Sequence, residues 1–554
     1  MVSSSPYPLI HIPNVDLWEF LFERQDREWP DTQTIYVSPD EGRVSTFCDV
    51  KADALRFGAS LVSSWNWQKG DALSLFLFNS IHTPALIWGC HWAGGVVVPS
   101  SPTCTAREYA FQLVDSRAKA IVTSESLLHT VVNAAWFARI PKDRILVVDE
   151  RTIGDSYFSR PSDIQQHDTP DAVLKRHVRL DPTLDHAFIC YTSGTTGLSK
   201  GVALTHTNII ANVLQNRACD ADYLTWNGGA ADGRPDRIMA FLPFYHIYGL
   251  TALVHVAMFA GLTAVVMPSF DLKKFCEYVE KYQVTFSNVV PPVVLLLAKH
   301  PIVEEYDLSS LKMLMSGAAP LTKDLAESVY HRIGVPIKQG YGLTETSPTT
   351  HLQSWNSWNL YGSIGQLLPN QLAKYVDLHG NEVPKRHIGE LWIKGPNIFR
   401  GYVGNPSATR DAFSPDGFFR TGDIGYEDEQ GNFFITGRIG EIFKVDGYDV
   451  SPAELEGLLL GHPKINDVAV MGIYDGETCT ERPRAYVFPV SGVHPTPEIE
   501  REIFDWLNER VSSHKRLTGG IRWVMGIPKT SSGKILRRVL RDMVEGAEKI
   551  RPQV

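Results

Sequence analysis

The chain has 554 residues, 44% hydrophobic and 21% charged, a balance that fits a globular protein and excludes a largely disordered or fibrous one. At roughly 150 residues per domain the length allows about three to four units. Its 62 acidic and 53 basic side chains leave a formal charge of −9. No surplus of positive charge is on hand for a phosphate backbone, so nucleic acid is not expected as a partner.

The first residues, MVSSSPYPLIHIPNVDLWEF, lack a positively charged start followed by an apolar run, so no signal peptide is expected. Short apolar, β-rich runs then recur at 72–78, 120–123, 145–149, 187–191, 262–267, 285–290 and 311–315. Segments with helical spacing lie between them, as at 51–64, 272–281 and 321–333. Runs apolar on both faces predict strands of a covered, largely parallel sheet, and the class is α/β. The uncharged stretch 247–270 could mimic a membrane span. It carries His255, Gly249, Gly261 and Pro268, which predict a buried helix, a turn at Gly261 and a buried strand, and no span.

From Gly389 the texture changes to short strands punctuated by turns, GELWIKGP, DGFFRTGD and EQGNFFITGR, which predict a small β subdomain. After Arg438 come a helix start at Ser451-Pro452-Ala453-Glu454, strands at 468–473 and 485–490, and a helix over 497–511. We expect an N-terminal domain over 1–438 and a mobile α+β C-terminal domain over 439–554, divided near Gly440, where glycine absorbs large backbone rotations. The final Arg551-Pro552-Gln553-Val554 is not a peroxisomal tripeptide, so a cytoplasmic location is expected. Cys48, Cys90, Cys104, Cys190, Cys219, Cys276 and Cys479 are scattered, without a CxxC pair, and read as reduced thiols.

Chemistry enters at Tyr191-Thr192-Ser193-Gly194-Thr195-Thr196-Gly197-Leu198-Ser199-Lys200-Gly201, after the strand AFIC and before VALTHTNIIANVL, read as a helix. Glycines let backbone amides approach an anion, and Thr192, Ser193, Thr195, Thr196 and Lys200 add donors and charge. The spacing is not the Walker pattern.

This run resembles the phosphate loop of the adenylate-forming superfamily: acyl-CoA ligases, peptide-synthetase adenylation domains and beetle luciferases. Further blocks follow in that family's order. Phe241-Leu242-Pro243-Phe244-Tyr245-His246-Ile247-Tyr248-Gly249-Leu250 resembles the acid-pocket block, and Gln339-Gly340-Tyr341-Gly342-Leu343-Thr344-Glu345-Thr346 the adenine and magnesium block. Arg420-Thr421-Gly422-Asp423 resembles the ribose block, Gly437-Arg438 through Glu456 the hinge, and Pro528-Lys529-Thr530-Ser531-Ser532-Gly533-Lys534 the C-terminal lysine loop. The segments Val289-Val290-Pro291-Pro292 and Ser316-Gly317-Ala318-Ala319-Pro320 are most similar to the 4-coumarate–CoA ligase branch.

The resemblance implies an ATP-dependent carboxylate–CoA ligase using ATP, Mg²⁺ and coenzyme A on an aromatic, cinnamate-like or medium-chain acid. A carboxylate is a poor acylating agent; attack on the α-phosphate of ATP gives an acyl-adenylate, from which a thiol displaces AMP. Both steps gather negative charge and need cations and fixed dipoles. By resemblance, nucleotide binding falls to residues 192–197, Lys200, Gly317, Ala318, Gln339, Gly340, Tyr341, Gly342, Thr344, Asp423, Arg438 and Lys534. The acid would meet His246, Ile247, Tyr248, Gly317, Gly342 and Pro348. Glu345 is expected to hold magnesium, a hard cation that takes carboxylate oxygen. Thr344 and His246 would assist the chemistry, Lys534 would bridge carboxylate and phosphate, and Lys444 would serve thioester formation after the small domain rotates.

The sequence departs from that branch in the hinge. Gly437 stands where Asp is usual, Gly440 where an acid or lysine is usual, Asp446 where lysine is usual, and Asp449 where glutamine is common. The Gly-Arg pair is similar to peptide-synthetase adenylation domains, so a carrier-protein phosphopantetheine in trans is the alternative acceptor. Thr346-Ser347-Pro348 replaces a small Ala-Gly, which opens the acid to other classes than hydroxycinnamates.

Overall fold

The computed structural model describes residues 2–148, 176, 178–192, 199–228, 233–377, 379–446, 448–476, 478, 480–530 and 533–550. Helices begin where a side chain can satisfy the first free amides. Thr46 and Asp49 form a reciprocal cap on Phe47–Trp65, Thr205 and Asn208 do the same for His206–Asp220, and Asp271 caps Leu272–Tyr282. The helix expected across VALTHTNIIANVL starts only at His206. Lys200–Thr205 is a strand, buried beyond Lys200, because its apolar residues pair with His186–Thr192 and Thr205 serves as the cap. The uncharged stretch is helical to Ala260, turns at Gly261 (φ +66°) and continues as the buried strand Thr263–Val266. Among the described residues no helix is long and apolar enough to cross a membrane.

The class is α/β, as expected. One sheet has a parallel core, Ala72–Phe76 flanked by Val96–Ser100 and Ala118–Ser124, with Ile145–Val148 and His186–Thr192 outside them. Its far edge is antiparallel: Lys200–Thr205 and then Gly401–Tyr402. The second and larger sheet has a parallel run through Arg237–Ala240, Phe286–Val289, Met313–Ser316 and Ile337–Gly342. It continues antiparallel through Thr349–Leu352, Ser363–Leu367, Phe433–Arg438, Phe419–Glu427 and Gly389–Lys394. The turn-rich strands after Gly389 thus extend the main sheet at its edge.

One large apolar core runs beneath both sheets, and residues between Phe443 and Leu517 form a separate one. This second core is built on Ile465–Asp475 paired with Thr480–Pro489, and Ile521–Trp523 joins the sheet in parallel. Gly440 lies in the turn between Phe433–Arg438 and Phe443–Val445, with open space where a side chain would stand. Glycines of this second body lie close against the first, Gly461 among them, where a Cβ would stand 3.4 Å from Asp324. A Cβ on Gly457 would stand 3.1 Å from Thr322, and one on Gly533 3.2 Å from Pro292.

Candidate active site

Asp423 lies on the strand Phe419–Glu427. Its Thr-Gly-Asp turn is fixed locally: Thr421 Oγ1 donates to Leu391 O at 2.7 Å, Asp423 N donates to Thr421 Oγ1 at 3.0 Å, and Gly422 adopts φ +72°. Asp423 is buried; its Oδ2 accepts from the Tyr341 hydroxyl and its Oδ1 meets Arg438 Nε at 2.9 Å. Burial raises the Asp423 pKa, while Arg438 and the Tyr341 hydrogen bond oppose the rise. Asp423 and Arg438 face each other in register on antiparallel strands, so the sheet itself sets the pair. Carboxylate oxygens held this way keep lone pairs for two adjacent hydroxyls, the pattern a ribose presents.

Glu345 lies in the short turn Thr344–Thr346, directly after Ile337–Gly342. The turn closes on Leu343: Thr346 Oγ1 accepts from Leu343 N at 2.9 Å, and Leu343 N also donates to Pro348 O at 3.2 Å. Gly342 is required there, since a Cβ would stand 1.9 Å from the Pro348 carbonyl oxygen. Glu345 Oε1 accepts from the Tyr402 hydroxyl at 2.9 Å, and Lys200 Nζ lies 4.9 Å from the centre of the same ring. Tyr402 thus joins the end of the phosphate-loop segment to the acid turn. Sequence reasoning missed it, because one aromatic in the two-residue strand Gly401–Tyr402 has no period to announce it. Residues 193–198, including Ser193, Gly194, Thr195, Thr196 and Gly197, lie outside the described residues; Thr192 ends the strand before them, opposite Lys200.

Of the residues expected to meet the acid, His246, Ile247 and Gly317 adjoin Tyr248. His246 begins a short helical turn, its Nδ1 accepting from Tyr248 N at 3.2 Å; burial lowers its pKa to about 4, so the ring is neutral at neutral pH. The Tyr248 hydroxyl donates toward Asn288 Oδ1 at 3.2 Å and Met315 O at 3.0 Å. Gly317 passes beneath the ring, where a Cβ would come within 3.2 Å of it, and Ala318 follows at φ +72°. Ile247 is buried in the core. Gln339 and Gly340 hold the strand toward Thr349–Leu352: Gln339 N donates to Gln353 Oε1 at 2.7 Å, and a Cβ at Gly340 would stand 2.9 Å from Met315.

Lys534 reaches this group from the second body. Thr530 turns the loop back, accepting from Lys534 N through Oγ1 at 3.1 Å and donating its own N–H to Lys534 O at 2.8 Å. Gly533 takes φ +85° at the tip. Burial and the nearby Arg438 lower the Lys534 pKa, against the opposing pull of Glu441, Asp423 and Glu345. Arg438, Glu441, Asp423 and Glu345 are thus the charges its ammonium feels. Behind it Arg537 forks onto Glu456, and its Nε lies 3.3 Å from Glu441. Lys444 lies elsewhere, exposed on Phe443–Val445 between two buried neighbours, its N–H donating to Glu481 Oε2 at 2.9 Å. Asp446 takes φ +50° and donates its N–H to Thr480 Oγ1 at 2.8 Å. Gly437 has a local reason: a Cβ would stand 2.9 Å from Ser451 Oγ.

A buried carboxylate paired with an arginine on an α/β body, and a lysine from a second domain whose charge is coupled to both, is the arrangement expected of an adenylate-forming enzyme. The chain belongs to the AMP-binding enzyme family, which matches residues 22–403, with its C-terminal domain matching 454–534. It is 35% identical over 505 residues to a Dictyostelium discoideum protein named probable 4-coumarate–CoA ligase 1, covering 89% of each chain. It is 33% identical to 4-coumarate:CoA ligase 1 of Petunia hybrida, covering 98% of this chain and 96% of that one. These relationships make it an AMP-forming acid–thiol ligase of the 4-coumarate–CoA ligase-like group, a class whose substrates include ATP and CoA. Among solved structures it resembles ATP-bound MatB from Rhodopseudomonas palustris at TM-score 0.83 and 26% identity, covering 97% of this chain and all of that one. The apo form of that protein fits less closely, at 0.73.

Proposed function

We propose that this chain activates an aromatic, cinnamate-like or medium-chain carboxylic acid and passes the acyl group to CoA. In the first half-reaction a carboxylate oxygen attacks the α-phosphorus of ATP, the bond to the bridging oxygen breaks, and pyrophosphate leaves. In the second, the CoA sulfur attacks the acyl carbon, AMP leaves with the bonding electron pair, and the thiol proton passes to solvent. The observation that carries the reading is the Lys534 loop, which comes from the other domain yet lies against the first, a Cβ on Gly533 standing 3.2 Å from Pro292, with the Lys534 charge coupled to Arg438, Asp423 and Glu345.

Asp423 would receive the ribose hydroxyls and Arg438 would hold that carboxylate ionised, while Lys534 would lie against the developing charge where acid and phosphate meet. Neutral His246 and Tyr248 would orient the acid without adding a competing cation. Thr344, at the start of the Glu345 turn, would face the phosphates. Gln339, Gly340, Gly317 and Ala318 would shape the adenine end.

The donors present suit magnesium. Glu345 offers a hard carboxylate oxygen, since among the described residues only Tyr402 donates to it. The ion, shared with the phosphates, would supply charge neutralisation there. The closer fit to an ATP-bound relative than to its apo form supports an adenylation pose. Lys444, exposed on the small domain, would reach the acyl centre only after rotation about Gly440.

A carrier-protein phosphopantetheine is the competing acceptor, favoured by Asp446, an acid where CoA phosphates would approach. Incubation with ATP, magnesium and acid, followed by CoA or a phosphopantetheinylated carrier, distinguishes the two by mass spectrometry. Acyl-CoA is expected; an acyl carrier without acyl-CoA would overturn the CoA assignment.

A further inference from the structure

A pocket of about 290 Å³ opens between residues 21–31 and the first turns of the helix Phe47–Trp65, and none of its lining residues belongs to the ligase site. Its volume is at the lower end of the range for small-molecule sites. The charged lining is Arg24, Arg27 and Lys51 against one acid, Asp31. Two of these cations are already matched: Arg27 pairs with Asp31, and Arg24 Nε lies 3.0 Å from Asp26 Oδ1. Lys51 is not. It donates to the Phe22 carbonyl oxygen at 3.2 Å and pairs with no carboxylate among the described residues, so two of its three N–H groups remain to be filled. Arg27 Nη1 is also buried with no hydrogen-bond partner among the described residues. The helix beginning at Phe47 adds the positive end of its dipole.

Packing accounts for the two arginines. The Arg27 guanidinium lies 4.1 Å from the centre of the Phe47 ring, and that of Arg24 4.0 Å from the Phe259 ring, with Nη1 donating to Phe259 O at 3.1 Å. These stacks make the arginines walls of the pocket, and Leu21 and Leu55 complete an apolar side. Packing does not account for Lys51, whose charge is left uncompensated on that lining. Phe259 belongs to the helical run that begins after His246, so the pocket is braced against the far end of the element that carries His246.

We infer that this pocket is a second binding site, for a monocarboxylate with a short apolar body, its carboxylate held by Lys51 and Arg27. One unmatched cation sets the charge of the ligand at one. A dianion would bring surplus negative charge beside Asp31 and Asp26, and a neutral apolar molecule would cover Lys51 and Arg27 Nη1 without giving either an acceptor.

Cys48 lines the same pocket and is exposed, which supplies a reporter of this site alone. The test follows alkylation of Cys48 in the full chain by neutral iodoacetamide, read by peptide mass spectrometry, with octanoate or 3-phenylpropanoate present. Octanol and octyltrimethylammonium are the neutral and cationic controls. At least one carboxylate is expected to slow alkylation by about fivefold or more, while both controls change it by less than about twofold. Lys51 is half-buried, and Lys51→Gln should raise the half-protecting concentration by about tenfold or more, the scale of one hydrogen bond to a charged group. Three results would each overturn the inference: no protection by either carboxylate up to about 10 mM, equal protection by either control, or a half-protecting concentration unchanged in Lys51→Gln. The comparison of ligands in wild type stands whether or not the variant folds.

Discussion

Lys534 and Lys444 sit on one small domain in contrasting surroundings, in keeping with the different half-reactions proposed for them. Lys534 is half-buried, with its charge coupled to Arg438, Asp423 and Glu345, while Lys444 is exposed on Phe443–Val445. Lys534→Ala is predicted to slow acid-dependent pyrophosphate release by about a hundredfold or more, the usual cost of losing a positioned donor of charge. Near-normal release would remove Lys534 from that step. Tyr402 is a positioning residue, since its hydroxyl holds Glu345 and its ring lies by Lys200. Tyr402→Phe keeps the ring and removes the hydrogen bond. It should raise KM for magnesium–ATP about tenfold or more while KM for the acid stays put, the scale of one hydrogen bond to a charged group. A parallel change in both constants would mean a general packing defect. Glu345, Asp423 and Lys534 were readable from the sequence because their motifs are contiguous. Tyr402 was not, because it and Glu345 become neighbours only through strand pairing.

At the scale of elements, two glycines carry the mechanism. Gly342 lets the acid turn fold back on Pro348, with no room for a Cβ. Gly342→Ala must displace that turn, and kcat/KM for the acid is predicted to fall by about a hundredfold, the cost of misplacing reacting groups by about an ångström. Activity within a few fold of wild type would show that the turn accommodates a methyl group. Gly440 is the opposite case, with open space around it. Gly440→Pro should fit, stiffen the turn and slow thioester formation while pyrophosphate release continues. Most strands were legible as short apolar runs bounded by turns. Lys200–Thr205 was misread because Val-Ala-Leu-Thr leads into a true helix without a break, and only the cap at Thr205 separates the two.

Across the whole molecule, burial of histidine in the main core predicts acid lability. His91, His206, His255 and His351 are buried; burial lowers His206 and His351 to about 3 and His255 to about 4, and lowers His91 as well. In the unfolded chain these groups titrate near ~6.5. The unfolded state therefore binds more protons as pH falls through that value, and the stability present above it is lost progressively toward pH 4. Thermal melts should show Tm falling steadily between pH 7 and pH 4.5, and a flat Tm over that range would contradict the account. The α/β class followed from apolar runs spaced by helices. The continuity of the turn-rich strands with the main sheet did not, since strand order across long crossovers leaves no local mark in sequence.

The central claim is that one chain makes an acyl-adenylate with Lys534 in the cleft and turns it into a thioester with Lys444 there instead. Its most direct test is quantitative mass spectrometry of acyl-adenylate and acyl-CoA from wild type and Lys444→Ala, given ATP, magnesium, CoA and a panel of aryl, cinnamic and fatty acids. The account predicts acyl-CoA from wild type and acyl-adenylate accumulating with little thioester from Lys444→Ala. Thioester formed equally fast by both proteins would contradict it.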